Sequence, residues 1–174
     1  MKHRPALETE LKLRIPALEP VEERLRALGF AEQIPAQAEL SVLWDRNGEL
    51  LSAGCALRLR SYAGGTLLTW KGPRVPDPQL KIRPERETTV EDAEAMEAIL
   101  RALGFEPVMR MAKTRAVWVR EELEACLDET PFGCFMELEG EAQAIKAAME
   151  ELHLEASHIE PRSYPTLFRE QGLG

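Results

Sequence analysis

The sequence predicts an α+β fold in which a closed eight-stranded antiparallel β-barrel carries α-helices packed outside. Three observations predict it. Eight strand-like runs follow one another, most of them joined by turns short enough for hairpins. Three amphipathic stretches end in helix-stopping patterns and need apolar surface to cover. Strand after strand alternates charged with apolar residues, acids and bases on one face, Leu, Val and Trp on the other.

The elements follow in order along the chain. "LETELKLR" (7–14) sends Glu8, Glu10, Lys12 and Arg14 to one face and Leu7, Thr9, Leu11 and Leu13 to the other. "EPVEERLRALGF" (19–30) is a helix, with Leu25 and Leu28 at helical spacing and Gly29 at its C-terminal stop. "AELSVLWD" (38–45) is a strand, followed by the turn signal Asn47-Gly48. "CALRLRSY" (55–62) and "TLLTWKG" (66–72) flank Ala63-Gly64-Gly65 as a hairpin, and the Pro-rich "KGPRVPDPQ" (71–79) is a long loop. The next strand, 80–90, puts Lys81, Arg83, Glu85 and Glu87 on one face. Pro84 falls on the opposite face and cannot donate to a ladder, so an edge-like or bulged stretch is expected there. "EDAEAMEAILRALGF" (91–105) is a second helix, with Met96, Ile99, Leu100 and Leu103 at helical spacing. "TRAVWVR" (114–120), "LEACLD" (123–128) and "CFMELEG" (134–140) are the last strands, and a third helix follows Glu137 and Glu139. A strand with alternating charges followed by a helix thus occurs three times, and "RALGF" closes two of the helices, at 26–30 and 101–105.

Helices outside the barrel take the apolar strand faces, which leaves the acids and bases to line its interior. Closure also removes sheet edges. Buried charges are costly unless paired or matched to a ligand. An interior of both signs suits a ligand of both signs, such as a polyphosphate chelated to divalent cations. Carboxylates hold hard cations, and Lys and Arg hold phosphate oxygens.

Composition bounds the alternatives. The 174 residues form one domain, 1–174, without a linker, 44% hydrophobic and 30% charged, in the globular range. A net charge of −8 argues against nucleic acid as a partner. No apolar run approaches the roughly 18 residues of a membrane span, and "MKHRPALETE" lacks a signal-peptide core. Cys55, Cys126 and Cys134 are an odd number without CxxC spacing, which predicts reduced thiols and a cytoplasmic location. His3, His153 and His158 lack metal-ligand spacing.

The same residues resemble the CYTH superfamily, the triphosphate tunnel metalloenzymes. The family's ExExK signature is present as Glu8-Thr9-Glu10-Leu11-Lys12. "ALRLR" (56–60), "LTWKGP" (68–73), "KIRPERE" (81–87), "KTRAVW" (113–118), "LDETPFGCFMELEG" (127–140) and "SYPTLF" (163–168) resemble later family blocks in order. Pro84 and Arg86 stand where relatives commonly have Glu and an aliphatic residue.

The resemblance implies a tunnel fold and a triphosphate substrate handled with Mg²⁺ or Mn²⁺. It implies Glu8, Glu10, Asp128, Glu137 and Glu139 as metal carboxylates. Lys12, Arg58, Arg60, Lys71, Arg83, Lys113 and Arg115 are implied as phosphate contacts, with Lys12, Glu10 and Arg58 nearest the chemistry. Glu85 and Glu87 serve either the metals or the basic cluster. The implied reaction is hydrolysis of tripolyphosphate or thiamine triphosphate. A class IV adenylyl cyclase, making cyclic AMP and pyrophosphate from ATP, stays open, as does a non-catalytic polyphosphate-binding module. Trp70 and Trp118 fall on apolar faces and are expected in the core, whereas Trp44 and Tyr164 are open between packing and function. The outer helices offer a surface for a homodimer.

Overall fold

The computed structural model describes residues 7–173, so His3 and the start of "MKHRPALETE" lie outside the described residues. The elements run β1 (Leu7–Ile15), α1 (Glu19–Ala27), β2 (Ala31–Asp45), α2 (Glu49–Ser52), β3 (Ala56–Tyr62), β4 (Gly65–Lys71) and β5 (Lys81–Val90). Then come α3 (Ala93–Ala102), β6 (Glu106–Arg120), β7 (Leu123–Thr130), β8 (Gly133–Glu139), α4 (Ala142–Glu151), a 3₁₀ turn at Ala156–His158, and α5 (Tyr164–Glu170). The strands close into a barrel in the order β1-β5-β4-β3-β2-β6-β7-β8, with every pairing antiparallel.

All eight expected strands are present, but β2 and β6 are longer than their patterns suggest. β2 starts at Ala31 rather than 38, and β6 at Glu106 rather than 114. The extra length of β2, "AEQIPAQ", is largely exposed and its pairing shifts register between Glu32 and Ile34 and between Ile34 and Gln37. Without a buried face such a stretch carries no period-2 signal. Two short helices, α2 and α5, also follow no long apolar period.

Pro84 behaves as an edge residue. β5 pairs with β1 from Lys81 to Pro84 and with β4 from Glu85 to Val90, so the missing N–H falls where the two ladders end. The register runs unshifted through each ladder, and there is no bulge. The β1–β5 seam is correspondingly short, Leu7 to Glu10. Further along, Leu13 bridges to Ile159, and the N–H of Glu160 donates to the carbonyl of Lys12 at 2.8 Å. The C-terminal segment thereby covers the part of β1 that β5 leaves bare.

Apolar strand faces pack under the helices. Leu11 and Leu13 of β1, Trp118 of β6, Leu127 of β7 and Met136 and Leu138 of β8 meet Val21 and Leu25 of α1 and Ile145, Ala148 and Leu152 of α4. A smaller cluster joins Trp44, Leu59 and Val90 to Leu100 of α3. Trp44 therefore belongs to the core, as Trp118 does. Ile99 and Leu103, on the expected apolar stripe of α3, are more than half exposed.

The repeated helices close alike. Gly29 and Gly104 take φ of 82° and 83°, and the N–H groups of Phe30 and Phe105 reach back to the carbonyls of Leu25 and Leu100. The third helix ends the same way, with His153 in the glycine's place at φ 54° and Leu154 donating to Met149.

The β3–β4 hairpin turns through Ala63 and Gly64, both left-handed, at φ 52° and 74°. Ala63 bears a Cβ in a conformation that costs an L-residue about 1–2 kcal/mol. The variant Ala63→Gly is expected to gain about 1 kcal/mol of stability, read as a higher urea midpoint at unchanged slope.

Candidate active site

The alternation seen in the sequence turns the charges inward. The barrel encloses a cavity of about 670 Å³. β1 gives it Glu8, Glu10 and Lys12, and β3 gives Arg58 and Arg60. Lys71 of β4, Lys81 and Arg83 of β5, Lys113 and Arg115 of β6, and Glu137 and Glu139 of β8 add to the ionic lining, as do Glu39 and Asp45 of β2, Arg74 and Arg169. Asp128, Glu85 and Glu87 are not part of it; they stand behind the basic residues and hold them in place.

Ion pairs run around the wall. Lys71 Nζ lies 2.5 Å from Glu8 and 2.7 Å from Glu85. Lys81 reaches Glu10 at 3.2 Å, and Lys12 lies 3.5 Å from Glu137. Arg115 donates through Nε and Nη2 to both oxygens of Asp128, at 2.7 and 2.6 Å, and through Nη2 to Glu137 at 2.5 Å. Lys113 meets Asp128 at 2.9 Å. Arg60 meets Glu87 at 3.4 Å, and Thr69 donates to the same Glu87 oxygen at 2.7 Å.

Two guanidinium groups depart from this pattern. Arg83 donates to the carbonyls of Gly72 and Gly54, which fastens the loop after β4. Arg58 has no ion pair among the described residues, and its Nε is buried without a hydrogen-bond partner.

The site's protonation follows from this packing. Burial, then the hydrogen bond with Glu85, pushes the Glu8 carboxyl up to about 9. Against burial, the Glu8 hydrogen bond and the Lys71 charge hold Glu85 down at about 2, so the two carboxyls share one proton. Burial lowers Lys12 to about 8 although Glu137 opposes the shift. Burial also raises Glu137, but Lys12 and Arg115 overcome it and hold the carboxyl well below its usual range.

The CYTH domain model matches residues 6–164 of the chain. The chain belongs to the CYTH family. A Methanocaldococcus jannaschii protein named "putative adenylate cyclase" is 33% identical over 135 residues, which cover 76% of each protein. A Vibrio parahaemolyticus structure bearing the same words superposes with a TM-score of 0.82 at 22% identity, over 95% of this chain and 99% of that one. A Hippeastrum protein, described as a putative adenylyl cyclase with a dominant triphosphatase activity, gives 0.70 at 22% identity, over 94% and 96%. At that identity both structures speak to the fold.

Of the metal carboxylates expected from the CYTH resemblance, Glu8, Glu10, Glu137 and Glu139 line the cavity and Asp128 does not. Among the described residues no three Asp, Glu, His or Cys side chains gather as a ready metal cluster. Glu10 and Glu139 are opposed in register on β1 and β8, while Asp128 is fully buried under Arg115, Lys113 and Tyr164.

The CYTH barrel also uses residues absent from the expected set. Glu39 on β2 is buried and lies within 3.7 Å of Arg60, Lys113 and Arg115. Burial favours its neutral form, yet Lys113, Arg115, Arg58 and Arg60 hold it down at about 2. Lys81 shares the inward parity of Arg83 and was readable on that ground. Tyr164 donates its hydroxyl to Asp128 at 2.5 Å, and its ring receives Lys12 at 3.6 Å and Lys113 at 4.2 Å from the centroid. The carbonyl of Arg162 accepts from Lys12 at 3.2 Å. The C-terminal segment thus takes part in the site.

Glu160 locks that segment, accepting from Arg162 at 2.7 and 2.5 Å, with Arg14 at 3.6 Å. The Arg162 hydrogen bonds lower its carboxyl from 4.5 to about 2. Its contribution to stability is therefore complete above pH 4.5 and lost as pH falls toward 2. Glu160→Gln should be less stable than the parent chain near neutral pH, and denaturant unfolding should find the difference shrinking as the solution is acidified.

Proposed function

We propose that the chain hydrolyses a triphosphate with a divalent cation, Mg²⁺ or Mn²⁺, inside the barrel. The observation that carries this reading is an enclosed cavity lined by both signs of charge, in which Arg58 makes no direct ion pair among the described residues and its buried Nε has no hydrogen-bond partner. A pure anion site would gain by losing Glu8, Glu10, Glu137 and Glu139, and a pure cation site would gain by losing Arg58 and Arg60. Their coexistence suits a polyanion that arrives with cations.

The donor set fits such a cation: all the acids offer oxygen, the ligand of hard divalent ions. Glu8, Glu10, Glu137 and Glu139 would hold it, with Asp128 recruited only by displacement of Lys113 or Tyr164. A bound cation supplies charge neutralisation on phosphate oxygens. Arg58 and Arg60 bind the phosphate chain through paired N–H donors. Lys12 and Lys113 orient the terminal phosphoryl group, and Arg115 keeps Glu137 in place. Water adds to the terminal phosphorus as the bridging P–O bond breaks, giving orthophosphate and the shortened phosphate. The spreading negative charge meets fixed cations already in position. The pKa of Lys12, near 8, also lets it exchange a proton with that water near neutral pH.

A second reading, cyclisation of ATP, draws on the name of the 33% identical Methanocaldococcus jannaschii relative. It would use the same walls, with the ribose 3′-hydroxyl as nucleophile. The deciding experiment incubates the protein with tripolyphosphate, thiamine triphosphate, ATP and GTP under Mg²⁺ and Mn²⁺ and identifies the products. Orthophosphate supports hydrolysis and cyclic AMP the cyclase. Binding without any product leaves a polyphosphate-binding module.

Arg58→Ala should weaken tripolyphosphate binding about tenfold or more while leaving Mn²⁺ affinity close to that of the parent chain, as read by titration calorimetry. Equal loss of both would contradict the division of roles.

A further inference from the structure

The ion pairs of the cavity wall are made between strands, but one side chain reaches the cavity from outside the sheet. Tyr164 opens α5 and lines the cavity. Pro165 follows it and the Ser163 side chain accepts from the N–H of Thr166, which fixes the start of the helix. The Tyr164 ring stands edge-on to Phe135 of β8, with centroids 5.6 Å apart at 86°. Phe135 in turn meets Phe132, and Phe132 meets Phe168 of the same helix. Aromatic packing, rather than a sheet ladder, sets the position of the ring.

That ring brings two distant lysines together. Lys12 of β1 and Lys113 of β6 are separated by β8 and β7, yet their Nζ atoms lie 3.6 and 4.2 Å from the Tyr164 centroid. An aromatic face stabilises an ammonium group without offering it an oxygen. A carboxylate in its place would compete with phosphate for the ammonium protons. The hydroxyl acts elsewhere. It donates to Asp128 Oδ2 at 2.5 Å, the same oxygen that accepts from Lys113 at 2.9 Å and from Arg115 Nη2 at 2.6 Å. Arg115 Nε takes the other oxygen at 2.7 Å. Asp128 is fully buried beneath these donors, and three of them fill the lone pairs of Oδ2, so none is left for a cation.

The segment that carries the ring is itself fastened to Lys12. The N–H of Glu160 donates to the Lys12 carbonyl at 2.8 Å, and the Arg162 carbonyl accepts from Lys12 Nζ at 3.2 Å. We propose that Tyr164 is a positioning residue with two roles. Its ring sets the spacing of the Lys12 and Lys113 ammonium groups around the terminal phosphoryl group, and its hydroxyl withholds Asp128 from the cation. Asp128 then serves as the anchor of Arg115 and Lys113, and the cation is left to Glu8, Glu10, Glu137 and Glu139. This rests on the triphosphate reading of the ionic walls and names the residue that divides their carboxylates into anchor and ligands.

The test compares the parent chain with Tyr164→Phe, which keeps the ring, and Tyr164→Leu, which keeps only apolar bulk. Mn²⁺ affinity is read by titration calorimetry without substrate, and kcat and KM are measured for the hydrolysed triphosphate under Mn²⁺. Both variants should bind Mn²⁺ severalfold more tightly than the parent chain, because Asp128 regains a free lone pair. Tyr164→Leu should lose about tenfold in kcat with a smaller change in KM, and Tyr164→Phe should recover most of that loss. A ring that only packs α5 against Phe135 would lower the melting temperature of the leucine variant and leave Mn²⁺ affinity where it was. Unaltered Mn²⁺ affinity in Tyr164→Phe, or equal kcat in the two variants, would overturn the proposal. The phenylalanine change removes one oxygen and preserves the packing, which guards the test against misfolding. If no triphosphate is hydrolysed, the proposed activity fails instead. Tripolyphosphate affinity, expected about tenfold weaker in Tyr164→Leu than in Tyr164→Phe, then takes the place of kcat and still decides the role of the ring.

Discussion

Mutual neutralisation of opposite charges inside a closed sheet is the condition on which this molecule depends. A lysine or arginine taken out of water costs several kcal/mol unless a partner repays it. Here the partners come from neighbouring strands: Lys71 with Glu8 and Glu85, Lys81 with Glu10, Arg115 with Asp128 and Glu137, Arg60 with Glu39 and Glu87. Removing one member would strand another. Stability alone does not account for such an interior, because well-packed apolar residues often do as well or better in place of buried ion pairs. A ligand that supplies both signs, as proposed for this cavity, would account for it.

The network is also graded in availability. Asp128 and Arg115 are locked by several bonds each, whereas Arg58 has no ion pair among the described residues. Fixed groups that meet charge as it develops need no reorganisation at the moment of reaction. The Glu8–Glu85 pair differs in kind. Burial raises the Glu8 carboxyl while, against burial, the Glu8 hydrogen bond and Lys71 hold Glu85 low, so one proton is shared between them.

Much of this was legible in the sequence because one property, period-2 parity, decides both which side chains face inward and which pack under helices. It placed Glu8, Glu10, Lys12, Arg58, Arg60, Lys71, Arg83, Lys113, Arg115, Glu137 and Glu139 on the cavity wall. Parity does not report depth, so Glu85 and Glu87 looked equivalent to residues that touch the cavity, and the family resemblance that named Asp128 carries no depth either. Glu39 was missed because Ser41 and Leu43 follow it on the inward face, which dilutes the charge pattern. Tyr164 was undecidable because its partners, Asp128, Lys12 and Lys113, lie far away in the chain. The exposed start of β2, residues 31–37, has no buried face and hence no period. Ile99 and Leu103 fit a helical stripe but remain exposed, since spacing cannot say whether anything lies opposite.

The same parity ties the helices to the chemistry. Lys12 lies between Leu11 and Leu13, and Glu137 between Met136 and Leu138, and those four apolar residues are almost wholly buried under α1 and α4. A one-residue slip of β1 against β8 would send Leu11 and Leu13 into the ionic cavity and Lys12 into hydrocarbon. Neither face tolerates the exchange, so the outer clusters act as the register device of the site. The helices need not touch a ligand to matter. By fixing which residues of β1 and β8 can be buried outside, they fix that Lys12 meets Glu137 and that Glu10 opposes Glu139 inside. The threefold recurrence of strand and helix, each helix closed by the same reach-back hydrogen bond, then has a physical reason: each unit couples an apolar anchor outside to charged side chains within.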